Sequence, residues 1–156
     1  MKIDNLKKVR RVYTQKIFSS PEKVFPLLCP VREADWVDGW DPEVVFTNSG
    51  VAEQGCIFIT SADGINSTWY INRYEPENYF VEMIKFTPGL LITKLEIQLK
   101  GNANYTDAEI AYTFYAVSEK GERELDKFTP DYYKNFMKEW EDQMNFYLTS
   151  KMKEHV

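Results

Sequence analysis

Histidine is almost absent from this chain: a single residue, His155, beside the carboxyl end of 156. Any Ser-His-Asp or Cys-His engine would have to use that one imidazole, and chain ends fray, so histidine-based catalysis is not expected. Cysteine is nearly as scarce. Cys29 and Cys56 have no close partner at metal-ligand spacing, which argues against a zinc site. Without a secretion signal they are expected to be reduced, partly buried thiols. No apolar run approaches the roughly 18 residues of a membrane span, so membrane insertion is not expected. Positive charge is in deficit. The formal net charge of −5 disfavours nucleic acid or an anionic lipid surface as partner. The basic start MKIDNLKKVRRVY lacks the apolar centre of a signal peptide, and cytoplasmic localisation is the expectation. Repeats, low-complexity tracts and linkers are missing too, so one domain over 1–156 is expected. No cofactor is implied, and the oligomeric state is left open.

Aromatic side chains, in contrast, make up 15% of the chain. Rings of that bulk must either fill a core or line a cavity. The segment LCPVREADWVDGW, Leu28 to Trp40, concentrates the question: two tryptophans, one arginine and three acids in a connector.

Val9 to Phe18, VRRVYTQKIF, is rich in β-formers and predicts a first strand. SSPEKVFPLL then starts a helix, with Ser20 able to cap, Pro21 at the first helical position and Glu22 at the positive end. Pro26 limits it to a turn or two. PVREADWV predicts a second short helix, ended near Gly39. Six strand-like runs follow: EVVFTNS, GCIFITS, STWYINRYE, YFVEMIKFT, LLITKLEIQLKG and YTDAEIAYTFYAVS. The connections between them are short, which favours antiparallel neighbours in a meander. Leu91, Thr93, Leu95, Ile97 and Leu99 alternate with Lys94, Glu96, Gln98 and Lys100, giving one buried and one wet face. Ile110, Tyr112 and Phe114 align similarly. From about Thr129 to Lys153 the chain predicts a long helix. Thr129 is positioned to cap, and the apolar stripe comprises Tyr133, Phe136, Met137, Trp140, Met144, Tyr147 and Leu148, with Lys134, Lys138, Glu141, Asp142 and Asn145 mostly away from it.

The order strand, two short helices, six strands, long helix predicts an α+β protein. A seven-stranded curved antiparallel sheet would wrap around the C-terminal helix, the only element long and apolar enough to cover its dry face. This order resembles the START-like superfamily, also called helix-grip or SRPBCC, which includes polyketide cyclase-like and dehydratase-like proteins and lipid-transfer domains. The opening SPEKVFPLL resembles the start of that superfamily's first helix, and SGVAEQGCIF its link into the third strand. The LCPVREADWVDGW variant resembles a branch of bacterial SRPBCC proteins. The resemblance implies a cavity between sheet and helix, and implies different ligands and chemistries in different members.

Candidate site residues follow. Trp140 and Met144, on the helix stripe, line either a cavity or a plain core. Trp69 and Tyr70 are neighbours in a strand and point to opposite faces, so one ring faces inward. Tyr112 and Phe114 are candidate ligand contacts on the last strand. Trp36 and Trp40 suit a pocket entrance, or plug that end of the sheet as structure. Arg32 either pairs with a nearby carboxylate and pins the short helices, or holds the acidic head of a ligand. On an α-helix it would share a face with Trp36. Glu82 shares its parity with Ile84 and Phe86 and is the one in-strand candidate for acid or base chemistry. Three functions compete: binding of a hydrophobic or aromatic small molecule of lipid, polyketide or isoprenoid type; a cyclase or dehydratase using the same cavity; and a chaperone-activator-like interaction protein that holds no ligand.

Overall fold

The computed structural model describes residues 1–154, except for the side chains of 151–154. His155 lies outside the described residues. Strand β1 (Lys8–Ile17) leads into α1 (Pro21–Val24) and two 3₁₀ turns, Phe25–Leu28 and Arg32–Asp35. Strands β2 (Glu43–Phe46), β3 (Ile57–Ala62), β4 (Ile65–Glu75), β5 (Phe80–Thr87), β6 (Leu91–Gly101) and β7 (Thr106–Ala116) follow. Helices α2 (Glu119–Leu125) and α3 (Pro130–Glu154) complete the chain.

The seven strands form one antiparallel sheet in the order β1-β7-β6-β5-β4-β3-β2. The first strand therefore joins the last, and the rest run as a meander. Hairpin β3–β4 turns through Asp63 and Gly64, both at positive φ (53° and 76°), as a tight two-residue connection requires. A register shift between Ile71 and Arg73 on β4 adds to the bend of the sheet. On β6 the inner residues Leu91, Thr93, Leu95, Ile97 and Leu99 are all buried, and their outward neighbours are not.

Helix α3 is 25 residues long, about 37 Å at 1.5 Å per residue, and lies across the concave face. Tyr133, Met137, Met144 and Leu148 bury into the main core with Ile71, Val81, Ile97 and Ile110. Phe136, part of the same predicted stripe, is instead exposed. Glu141, expected on the wet side of the helix, is buried. It accepts hydrogen bonds from the Tyr13 hydroxyl (3.2 Å) and the Lys16 backbone N–H (2.5 Å). Asn145 accepts from the Phe18 N–H at 2.8 Å and donates to the Lys16 carbonyl at 2.9 Å, while Gln15 donates to the Met137 carbonyl at 3.0 Å. The outer edge of β1 is thus stitched to α3 by side chains in place of a neighbouring strand, which satisfies groups that a bare edge would leave open.

Three local expectations need correction. Ser20 occupies the N-cap position of α1 but makes no capping hydrogen bond. The second short helix is a 3₁₀ turn, not an α-helix. Helix α2 was not expected at all. The Ser118 hydroxyl caps it by accepting from the Gly121 N–H at 3.0 Å, and Leu125 anchors it in a smaller core with Val9, Leu90, Leu91, Phe114 and Ala116. Its sequence, EKGEREL, carries one large apolar residue and a glycine, too little for a periodic signal. The glycine is required by packing: a Cβ at Gly121 would lie 2.0 Å from the Leu90 carbonyl oxygen.

Candidate functional site

The main and smaller cores are distinct clusters joined through Tyr112, which packs against both. Between them lies a partly open cavity of about 650 Å³, within the range of small-molecule sites. Strand pairing sets out its floor residue by residue. Phe58 opposes Trp69, Trp69 opposes Lys85, Lys85 opposes Thr93, and Thr93 opposes Phe114. All five side chains line the cavity, so one row across β3 to β7 supplies three rings, a cation and a hydroxyl. The next inward row adds Met83, Leu95 and Tyr112. Tyr133, Phe136 and Trp140 of α3, with Phe128, form the roof, and Glu33, Val37 and Trp40 close one end.

The rings hold one another in place. Phe58 stacks on Trp69 with centroids 5.4 Å apart and an interplanar angle of 8°. Tyr112 stacks on Phe114 at 5.6 Å, and Phe114 on Phe128 at 4.5 Å. Trp69 donates its indole N–H to the Thr60 hydroxyl at 2.9 Å, and Trp40 donates to the Pro30 carbonyl at 2.7 Å. Their polar edges are therefore satisfied and their faces are free for apolar contact.

Of the residues singled out from the sequence, the structure brings Trp40, Trp69, Tyr112, Phe114 and Trp140 to the cavity wall. Tyr70 points outward and is exposed. Four others lie elsewhere. Met144 is sealed in the main core. Trp36 is buried behind the wall, donating to the Leu27 carbonyl at 2.8 Å and packing on Trp140 with centroids 5.4 Å apart. It plugs that end of the sheet. Arg32 lies away from the cavity, half exposed, and pairs with Asp35 at 3.0 Å. Hydrogen bonds to Asp35 and then to the Tyr147 hydroxyl of α3 raise its pKa further. The cause is the 3₁₀ geometry. With three residues per turn, Arg32 eclipses Asp35 and not Trp36, so the predicted shared face of Arg32 and Trp36 does not form. Glu82 sits on the outer face of β5, accepts a hydrogen bond from Asn72 and lies 3.9 Å from Lys94. Its parity with the exposed Phe86 places it away from the cavity and out of reach of anything bound there.

Two ionisable groups on the wall were missed. Glu33 keeps only 5% of its surface exposed, and its carboxyl has no hydrogen-bond or ion-pair partner among the described residues. Burial pushes its pKa up to about 8. Lys85 is half-buried, with its ammonium 4.9 Å from the centre of the Trp69 ring. No carboxylate pairs with it among the described residues, and burial lowers its pKa. Tyr112 and Tyr133 have their phenol pKa values raised by burial, and Tyr133 donates to the Ile110 carbonyl at 2.8 Å. Both missed groups had a sequence signal. A 3₁₀ reading of PVREADW aligns Glu33 with the apolar Trp36, and Lys85 shares the parity of Val81 and Met83.

Among the described residues, no three His, Cys, Asp or Glu side chains cluster as metal ligands. Cys29 and Cys56 are buried and unbridged. The Cys29 sulfur accepts the Ala52 N–H at 3.1 Å. No helix among the described residues is long and apolar enough to cross a membrane.

A curved seven-stranded antiparallel sheet gripping a long C-terminal helix, with short helical turns after the first strand, is the helix-grip fold. Known structures with the same fold are distant in sequence. Ara h 8.0201 superposes with a TM-score of 0.64 at 12% identity, over 92% of this chain and 99% of that one. A protein from Rhodobacter sphaeroides gives 0.67 at 18% identity, over 96% and 97%. DynU16, from the dynemicin biosynthetic locus, gives 0.62 at 13% identity, and the match spans 91% of this chain but 48% of DynU16. No family model and no curated protein matches the chain. The likeness is one of fold.

Proposed function

We propose that the protein binds a hydrophobic or aromatic small molecule, of lipid, polyketide or isoprenoid type, in the cavity between the sheet and α3. The observation that carries this reading is the cavity itself: about 650 Å³ of space bounded largely by aromatic faces. A well-packed interior leaves few voids larger than a water molecule. Space on this scale, with its rings braced from behind, supports a site for a guest over an interaction protein that works through its outer surface alone. Native mass spectrometry of protein purified from its own host should show a co-purifying small molecule. Titration with fatty acids, flavonoids and linear polyketides should change the tryptophan emission, with dissociation constants in the micromolar range, about −8 kcal/mol. A flat response across the panel, with no thermal protection, would overturn the reading.

Glu33 favours one alternative, a cyclase- or dehydratase-type enzyme using the same cavity. A carboxyl with a pKa of about 8 holds its proton at neutral pH and can give it to a carbonyl or leaving hydroxyl oxygen. In that reading Glu33→Gln retains ligand binding and abolishes turnover. Equal turnover by both proteins would exclude Glu33 as the acid.

A further inference from the structure

One cation lines the cavity, and it has no ion-pair partner among the described residues. Lys85 points inward from the middle of the sheet, and its ammonium lies over the face of Trp69, 4.9 Å from the ring centre. Directly opposite on β6 stands Thr93. Thr93 is 2% exposed and lines the cavity, and its hydroxyl makes no hydrogen bond among the described residues. The ammonium is half-buried with no anion paired to it among the described residues, which is unfavourable, and the hydroxyl faces the cavity with its bonding capacity unused. They stand across one rung of the sheet, between the rings of Trp69 and Phe114 on the cavity floor. A single guest oxygen bearing negative charge would satisfy both at once, and such charge-assisted hydrogen bonds are the strong ones.

We infer that Lys85 and Thr93 form an oxyanion subsite, which takes the carboxylate of an apolar acid whose body lies against Trp69, Phe58 and Phe114. The inference rests on the cavity being a ligand site, as proposed above. The charge of the guest follows from the surroundings. One ammonium matches one negative charge. The lowered pKa of Lys85 reflects a desolvated cation, the state that an anionic partner would relieve. The acids Asp38, Asp41 and Glu139 also line the cavity and would repel a phosphate dianion more than a carboxylic acid, which can enter protonated. One of the two roles the sequence left open for Arg32, holding an acidic head, is thus assigned to a different cation.

Matched probes test it: cis-parinaric acid against its methyl ester, and 9-anthroic acid against its methyl ester, each titrated by fluorescence. Wild-type protein should prefer the acid of each pair. Lys85→Met keeps the stem and removes the charge. It should weaken both acids about ten- to a hundredfold, as expected for a lost charged hydrogen bond, and leave the esters within about twofold. Thr93→Val should weaken the acids by a smaller factor in the same direction. Should Lys85→Met fail to fold by circular dichroism, Lys85→Gln and Thr93→Val carry the comparison. Equal losses for acid and ester, or no loss for either, would overturn the subsite. Tight binding of the esters with weak binding of the acids by wild type would do the same while leaving the cavity reading intact. If neither acids nor esters bind wild type, the cavity reading fails first and the subsite with it.

Discussion

Replacing Glu33 by glutamine should make the protein more stable at neutral pH, by an amount that grows with pH. The folded carboxyl titrates near 8, against 4.5 for an unburied one. Below about pH 4.5 both folded and unfolded chains hold the proton, and the group does not discriminate between them. As pH rises through the window from 4.5 to 8, the unfolded chain releases the proton and the folded chain retains it, so stability falls. Above about 8 both are ionised and the full loss has been taken. Each pH unit inside the window corresponds to about 1.4 kcal/mol. At pH 7 the wild type should therefore have lost about 3 kcal/mol, a large part of a typical folding stability of roughly 5–15 kcal/mol. Glutamine keeps the shape and has no proton to release. Urea unfolding at pH 5, 6, 7 and 8 should show the variant ahead by less than about 1 kcal/mol at pH 5 and by about 4 kcal/mol at pH 8. All other titrating groups, His155 included, are common to both proteins and cancel in the difference. Two results would refute the reasoning: a glutamine variant less stable at pH 7, or two stability curves that run parallel with pH. Either would mean that Glu33 is ionised and partnered in the folded state.

Other substitutions separate scaffold from wall. Trp140→Ala should cost less than the roughly 3–5 kcal/mol of a fully buried ring, because one side of the indole already faces open space; urea unfolding measures this, and probe titration should show weaker binding. Arg32→Met removes a half-exposed ion pair and should lower stability by no more than about 1 kcal/mol, with acidic and neutral ligands bound as before. Gly121→Ala forces a methyl group against the Leu90 carbonyl and should lower stability by about 1–3 kcal/mol or more, seen as a drop in Tm by calorimetry.

Much of the fold could be read directly from residue spacing. The alternation in β6 and the stripe of α3 are strong because each has a uniform environment along its length, dry on one side and wet on the other. The sites of failure share a physical cause. Around Arg32 the chain tightens to three residues per turn, and that rotates every side chain relative to an α-helical reading. Arg32 turns to solvent and Glu33 turns inward. Glu141 looked solvent-bound because its partners, Tyr13 and the Lys16 N–H, come from the far end of the chain. Lys85 was overlooked for a related reason. A charged residue in the inward parity of a strand reads as noise until a cavity is known to face it.

The stitching of β1 to α3 bears on how the protein is made. β1 emerges from the ribosome first, yet its one strand partner is β7, and the side chains that close its outer edge lie on α3. Throughout synthesis of the meander between them, β1 has both edges open. The β2–β6 meander can assemble early, but the chamber gains its roof and its flank together, only once the last helix is released. Nascent chains stalled before residue 106 should therefore present an unpaired β1 and an uncovered, incomplete aromatic floor, and should be held by chaperones that bind extended apolar segments.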